Sequence, residues 1–309
     1  MLLADVAPDI PHVSAAASVG TRLGEDLDRA GTLAPEPMRR TLDAVRQFSR
    51  QVRGRYVKLF AVATSAVRRA GNGDEFLERA QEIVGVPVRV LSGEEEAEAS
   101  YRGAITALRA TPDERVAVID VGGGSTEYAA GTDVKPERVI SFEIGAVRLT
   151  EELPELAGRD GAVHAAVIER AQKKVREMLS PMRECDPVER VAFVGGSATT
   201  TAAIVRARKG PFETFTLARG DLERALKRLC AMPLDERKRV VGMRPQRADI
   251  LPAGIIVLDA ALELVKLEIA VVTTADLLLG IMLQYRDTQV PAGEPEPARA
   301  AFRSPKGYS

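Results

Sequence analysis

Residues 118 to 131 read VIDVGGGSTEYAAG: an apolar run ends on Asp120, three glycines follow, and Ser125, Thr126 and Glu127 come next. Gly122, Gly123 and Gly124 leave backbone N–H groups unshielded, and successive N–H groups in such a turn form a nest for anions. Phosphate suits that nest, with Ser125 and Thr126 donating from their hydroxyls. Asp120, at the carboxyl end of a central-looking strand, suits a hard cation such as Mg²⁺, and Glu127 can orient a water or the metal's shell. A tight hairpin with solvated acids explains the same residues without chemistry, yet a turn needs no more than about two glycines. The loop is neither a Rossmann fingerprint nor a P-loop, which run from strand into helix, because STEYAAG alternates into a second strand.

Three further stretches carry candidate chemistry. FAVATSAVRRAGN ends a buried strand in Thr64 and Ser65 and puts Arg68 on the following turn, placed to clamp a phosphoryl group, with Arg69 read as solvated. In SGEEEAEASYRG, Ser92 and Glu95 have capping-box spacing, and Glu98 and Arg102 form an exposed i,i+4 pair. Glu96 instead shares a helical stripe with the small residues Ser100, Gly103 and Ala107. That face admits close approach by other backbone or a ligand, which makes Glu96 the general-base candidate or else a first-turn acid favoured by the helix dipole. In VAFVGGSATTTAAI a strand leads into a helix, so Gly195, Gly196 and Ser197 either present N–H groups to a second anion or reflect a plain cap by Ser197. The basic residues from Arg46 to Lys58 and from Arg237 to Arg247 read as solvated faces or as a track for a longer polyanion.

The elements that must position these residues follow from periodicity. LLADV and SAAASVGTRL are predicted strands around the turn APDIP, and a helix begins at Pro35 and Pro37 and ends before Gly54. YVKLFAVAT, PVRVLS and RVAVID are predicted strands, with helical segments between them. STEYAAGT and RVISFEIG form a strand meander. Helical residues follow from about Arg148 and from His164 to Met182, then strand RVAFVGG and helix SATTTAAIVRA. Residues 246 to 285 are predicted helical throughout, and the proline-rich residues 288 to 309 a disordered tail. One ββ(β)αβα unit ends near Thr111 and a second begins near Arg115, an α/β repeat legible in element order.

The chain of 309 residues, 45% hydrophobic and 28% charged, is that of a globular protein with room for two domains. It has no apolar stretch near the roughly 20 residues of a bilayer span. Its net charge of -1 gives no global attraction to nucleic acid or an acidic membrane. Cys185 and Cys230 lack CxxC spacing, which argues against a disulfide framework or Cys/His metal site and suits the cytoplasm. The start MLLADVAPDI lacks the basic residue of a signal peptide.

Taken together, ATSAVRRAGNGDEFL, SGEEEAEASYRG, VIDVGGGSTEYAAG, SFEIGAVRLTEEL, FVGGSATTTAAI and RADILPAGIIVLDAAL, in this order and spacing, resemble the exopolyphosphatase and guanosine pentaphosphate phosphatase (Ppx/GppA) family. The resemblance implies two RNase H-like domains of the actin/Hsp70/sugar-kinase superfold with an interdomain cleft. Residues 1–114 would be the first domain, joined by a returning helix at 275–287, and residues 115–274 the second. It implies a catalytic Glu96 that activates water and a phosphate-contacting Arg68. Asp120, Gly122, Gly123, Ser125 and Glu127 would bind phosphate and Mg²⁺, and a homodimer is expected. The implied activity is release of terminal phosphate from inorganic polyphosphate. The alternatives are conversion of pppGpp to ppGpp, a non-catalytic (p)ppGpp or polyphosphate sensor, and a sugar-kinase-like phosphotransferase. LLADV matches the segment just after the family's first strand and D-x-G-S/T loop, so roughly a dozen further residues are expected upstream of Met1, because a lost central strand would leave neighbours with unpaired backbone.

Overall fold

A computed structural model describes residues 1–6, 11–56, 58–111, 113–208, 210 and 214–289. The tail prediction falls almost wholly on residues 290–309, outside the described residues. The larger sheet is built from β5 (Val116–Val121), β6 (Thr126–Gly131), β7 (Arg138–Phe142), β8 (Arg190–Val194), β9 (Thr214–Ala218) and β10 (Ile269–Thr273), in the order β7-β6-β5-β8-β10-β9. β5 pairs antiparallel with β6 and parallel with β8, so it lies inside the sheet with partners on both edges. The continuous apolar run of β5 matches that place, since a strand covered on both faces has no polar face to alternate with. Its register sets Asp120 directly opposite Glu127, and the β6–β7 register sets Glu127 opposite Ser141.

The amino-terminal part is arranged as strand pairs. β1 (Leu2–Asp5) pairs antiparallel with β2 (His12–Ala16), and β3 (Ala61–Ala63) pairs parallel with β4 (Val88–Val90). The second strand therefore comes earlier than the SAAASVGTRL reading placed it, and β3 and β4 are shorter than their apolar runs. Helix Pro35–Val52 starts on Pro35, whose fixed φ suits a first helical turn. It packs Met38 and Leu42 into a small core with Phe76, Ala80 and Val67. Helix Gly93–Leu108 opens with the expected capping box: Glu95 N–H donates to the Ser92 hydroxyl at 3.1 Å and Ser92 N–H to Glu95 at 2.8 Å.

The prediction of continuous helix over residues 246–285 is wrong. Helix Leu251–Leu264 ends at Val265, β10 follows, and a separate helix runs over Leu277–Gln289. The segment Ile-Ala-Val-Val-Thr is β-branched, and its place between β8 and β9 in the sheet overrides any helical continuation. Helix Leu251–Leu264 is buried along nearly its whole length. Its one acid facing that environment, Asp259, is met by Arg219 at 2.9 Å.

Helix Leu277–Gln289 lies against helix Gly93–Leu108 at glycine contacts. A methyl group on Gly280 would run into the Ala99 carbonyl, and one on Gly103 into that of Asp276. The small-residue stripe beside Glu96 is thus occupied by the backbone of this last helix. Arg102, expected to pair with Glu98, reaches across the same contact to Asp287. Leu279 and Leu283 close a further cluster with Val13, so the last helix also packs on the amino-terminal strands. Among the described residues no helix is long and apolar enough to cross a membrane.

Candidate active site

Thr64, Ser65, Glu96, Asp120, Gly122, Gly123, Gly124, Ser125 and Glu127 line one cavity of about 320 Å³. Its walls come from residues 22–28 and the Thr64–Arg69 turn on one side, and from the glycine loop and helix Ala146–Glu152 on the other.

The glycine loop is held from beneath. The N–H groups of Ala146 and Val147 donate to the carbonyls of Gly122 and Gly123 at 3.0 and 2.9 Å. Gly145 permits this approach, since a side chain there would meet the Gly123 carbonyl at 2.5 Å. The Gly122 N–H closes the turn on the Ser125 carbonyl at 3.0 Å. That bond removes Gly122 from the expected set of anion donors and leaves the N–H groups of Gly123 and Gly124. Thr126 is also corrected: it is fully buried and its hydroxyl donates to the Ile144 carbonyl at 2.6 Å. Alternation along β6 turns Glu127 toward the cavity and Thr126 away from it.

Glu96 is 6% exposed. Burial pushes its carboxyl above the usual range, opposed first by a hydrogen bond from Arg68. Arg68 Nη1 donates to Glu96 Oε1 and to the Leu91 carbonyl, both at 2.5 Å. The arginine expected to contact phosphate thus holds Glu96 through Nη1 and lies outside this cavity's lining. Its neighbour Arg69, read as solvated, lines the cavity, pairs with Asp28 and lies 3.4 Å from Glu143. Consecutive residues on a helical turn point about 100° apart, so only one of the two can face the pocket. Arg148 lines the same wall and meets Asp28 at 2.8 Å and Glu143 at 2.7 Å. Arg148 sits in SFEIGAVRLTEEL, but its role depends on a partner, Asp28, 120 positions away.

Two acids define the floor. Ser100, one turn beyond Glu96, donates to Asp120 Oδ2 at 2.8 Å. Burial raises the Asp120 carboxyl, with Ser100 and the charge of Arg247 opposing. Glu127 is pushed up to about 8, by burial first and then by Asp120 and Glu96. The groups that hold it down are the hydroxyls of Ser125 and Ser141, neither of them charged. Two acids facing each other across a ladder with so little compensating charge fit a divalent cation. Among the described residues no cluster of three His, Cys, Asp or Glu side chains could hold a metal. Among the described residues a cation placed here would meet at most these two carboxylates, with other positions open to water or phosphate oxygens, a donor set that suits Mg²⁺.

The second glycine pair lies outside this cavity's lining. Gly195, at φ 83°, has Asp120 where its side chain would be, and Gly196 has the guanidinium of Arg247 there. Ser197 does not cap the helix: the N-cap is Val194, and the Ser197 hydroxyl is buried without a hydrogen-bond partner. These residues shape the space behind Asp120. Arg247, which burial lowers to about 10, is the cation whose charge opposes the rise of the Asp120 carboxyl. It was visible in the sequence only as one member of a basic run. Ser65, also buried and without a partner for its hydroxyl, is in the cavity wall and free to donate to an anion.

The family model described as the Ppx/GppA phosphatase family matches residues 3–281. Among solved structures, the Aquifex aeolicus PPX-GPPA enzyme is 28% identical, over 92% of this chain and 94% of its own, with a TM-score of 0.75. An exopolyphosphatase from Cytophaga hutchinsonii is 26% identical, over 93% of this chain and 94% of its own, with a TM-score of 0.82. An exopolyphosphatase-like protein is 26% identical, over 91% and 94%, with a TM-score of 0.80.

Proposed function

Because the chain belongs to the Ppx/GppA phosphatase family, we propose that its cavity hydrolyses the terminal phosphoanhydride of inorganic polyphosphate. The observation that carries this reading is the convergence of a buried, raised-pKa Glu96 with the glycine loop and the unpartnered Ser65 hydroxyl on one anion-sized cavity. A carboxylate above its ordinary pKa is a stronger base, and donors around it suit a phosphoryl group. The mixed α/β architecture, with its six-stranded sheet, is compatible with the actin-like superfold that the sequence resemblance implies.

In this mechanism Glu96, oriented by Arg68 and the Ser65 N–H, takes a proton from water as its oxygen bonds to the terminal phosphorus. The bond from that phosphorus to the bridging oxygen breaks, releasing orthophosphate and a chain one phosphate shorter. Gly123 and Gly124 N–H groups and the Ser65 hydroxyl receive the non-bridging oxygens, while the Ser125 hydroxyl stays on Glu127. Arg69 and Arg148 bring positive charge to the wall where negative charge accumulates. Asp120 and Glu127 would hold Mg²⁺, which when bound supplies charge neutralisation at the phosphoryl oxygens.

Phosphate release from polyphosphate of graded length and from pppGpp, with Mg²⁺, tests the reading. Faster release from polyphosphate supports it. Release from pppGpp alone would reassign the substrate, and binding without release from either would make the protein a sensor.

A further inference from the structure

Residues 22–28, on one wall of the candidate active site, are tied across it twice. Arg22 Nη2 donates to Asp249 at 2.5 Å and to the Gln246 carbonyl at 2.8 Å, and the Asp26 N–H donates to Glu151 at 2.9 Å. Arg22 and Asp26 hold left-handed φ angles of 54° and 59°, which a residue with a side chain keeps only where its surroundings enforce them. So anchored, the segment sets the Asp28 carboxylate against both Arg69 and Arg148. Each of these arginines also meets a second acid, Glu143. The two acids differ in place: Asp28 lines the cavity and Glu143 does not. Glu143 can therefore hold the arginines in position while Asp28 fills the space in front of them.

Asp28 fills that space incompletely. Arg148 is only 8% exposed, and its Nε lies 2.8 Å from Asp28 Oδ2 without the alignment of a hydrogen bond, while Nη2 reaches Oδ1 at 3.4 Å. A buried guanidinium donor left unmatched beside the cavity suits a tetrahedral anion, whose several oxygens can meet two arginines at once. The place also adjoins the donors assigned to the terminal phosphate. A side chain on Gly124 would lie 3.5 Å from the unpartnered Ser65 hydroxyl and 3.8 Å from Arg69 Nη1, so the glycine loop, Ser65 and Arg69 meet at one point. Resting on the hydrolase reading above, we propose that the place held by Asp28 is a subsite for the second phosphate of a condensed phosphate, with Asp28 as its internal placeholder. A single phosphate on the glycine loop does not reach Arg148, whereas an anhydride-linked pair spans both places. Arg148 thus selects for two or more linked phosphates, and Glu143 keeps both arginines ordered when phosphate replaces Asp28.

The test is the affinity of the full chain for inorganic tripolyphosphate and for orthophosphate, measured by calorimetry in chelator. Asp28→Asn should tighten tripolyphosphate by about tenfold or more, because the ligand no longer competes with a carboxylate, and Asp28→Ser repeats the test with a shorter neutral side chain. Asp28→Glu, which keeps the charge, should show no such gain. Arg148→Ala should abolish the gain in the Asp28→Asn background and, alone, weaken tripolyphosphate more than orthophosphate. Glu25→Gln removes an acid of the same lining that pairs with Arg40 instead, and should stay within about twofold of wild type. Tightening by neither neutral variant overturns the proposal, as does a gain that persists without Arg148, equal tightening in Glu25→Gln, or no binding by any form. Phosphate release is assayed separately. Release without the tightening removes the subsite alone, and tightening without release upholds the subsite while removing hydrolysis.

Discussion

At the residue scale, the site depends on carboxylates kept at unusual protonation by their surroundings. Glu127, near 8 when folded and near its ordinary value when unfolded, retains a proton in the folded state that the unfolded state loses. Metal-free stability should therefore be fully present below about pH 4.5, fall as pH rises, and level off above about 8, with a slope of up to about 1.4 kcal/mol per pH unit. Glu127→Gln should flatten that dependence in chelator-treated protein, as measured by urea denaturation across pH. An identical slope in wild type and variant would remove Glu127 as its source. Arg68 acts in the opposite direction on Glu96, holding the carboxyl down. Arg68→Ala should move the acidic limb of the pH–rate profile to higher pH, and Arg68→Lys should restore part of the shift. A uniform loss of rate with no shift would point to damage beyond Glu96. The acids and glycines were legible in the sequence because they sit within a few positions of one another. The placing of Arg69 rather than Arg68 in the cavity lining was not, since it depends on how one short turn is rotated. Nor was Arg247 distinguishable from its basic neighbours, because only burial beside Asp120 separates it from them.

At the scale of elements, glycines set how closely neighbouring pieces approach. Gly280→Ala would press a methyl group into the Ala99 carbonyl, a rigid backbone atom with no rotamer to yield. Overpacking of this kind costs roughly 1–3 kcal/mol. At about 2–4 °C per kcal/mol for a chain of this size, the melting temperature should drop by several degrees. An unchanged melting temperature would mean that the two helices separate without penalty. Gly195→Ala combines a left-handed φ with a collision at the Asp120 carboxylate. It should lower activity more than its stability loss of about 1–2 kcal/mol explains. The capping box and the proline start of helix Pro35–Val52 could be read directly, being local patterns with local causes. β10 escaped because its apolar run is compatible with either period, and its strand identity comes from β8 and β9 alongside.

At the scale of the whole molecule, ion pairs tie distant segments together around the cavity. Asp28 meets both Arg69 and Arg148, and Arg22 meets Asp249 at 2.5 Å. Asp28→Ala would leave two arginines without this partner on the cavity wall. The expected result is a changed KM for phosphate substrate with kcat reduced less, measured by steady-state phosphate release. The order of α/β elements was legible because hydrophobic periodicity survives in single segments. The pairing of strands into separate sheets is a property of tertiary arrangement that periodicity does not carry. The measurement that bears most directly on the central claim is the rate of phosphate release from polyphosphate, with Mg²⁺, by wild type and by Glu96→Gln. The predicted result is a drop of about 10²–10⁴-fold in kcat in the variant, with its melting temperature close to wild type. Undiminished release by Glu96→Gln would contradict the assignment of Glu96 as the base.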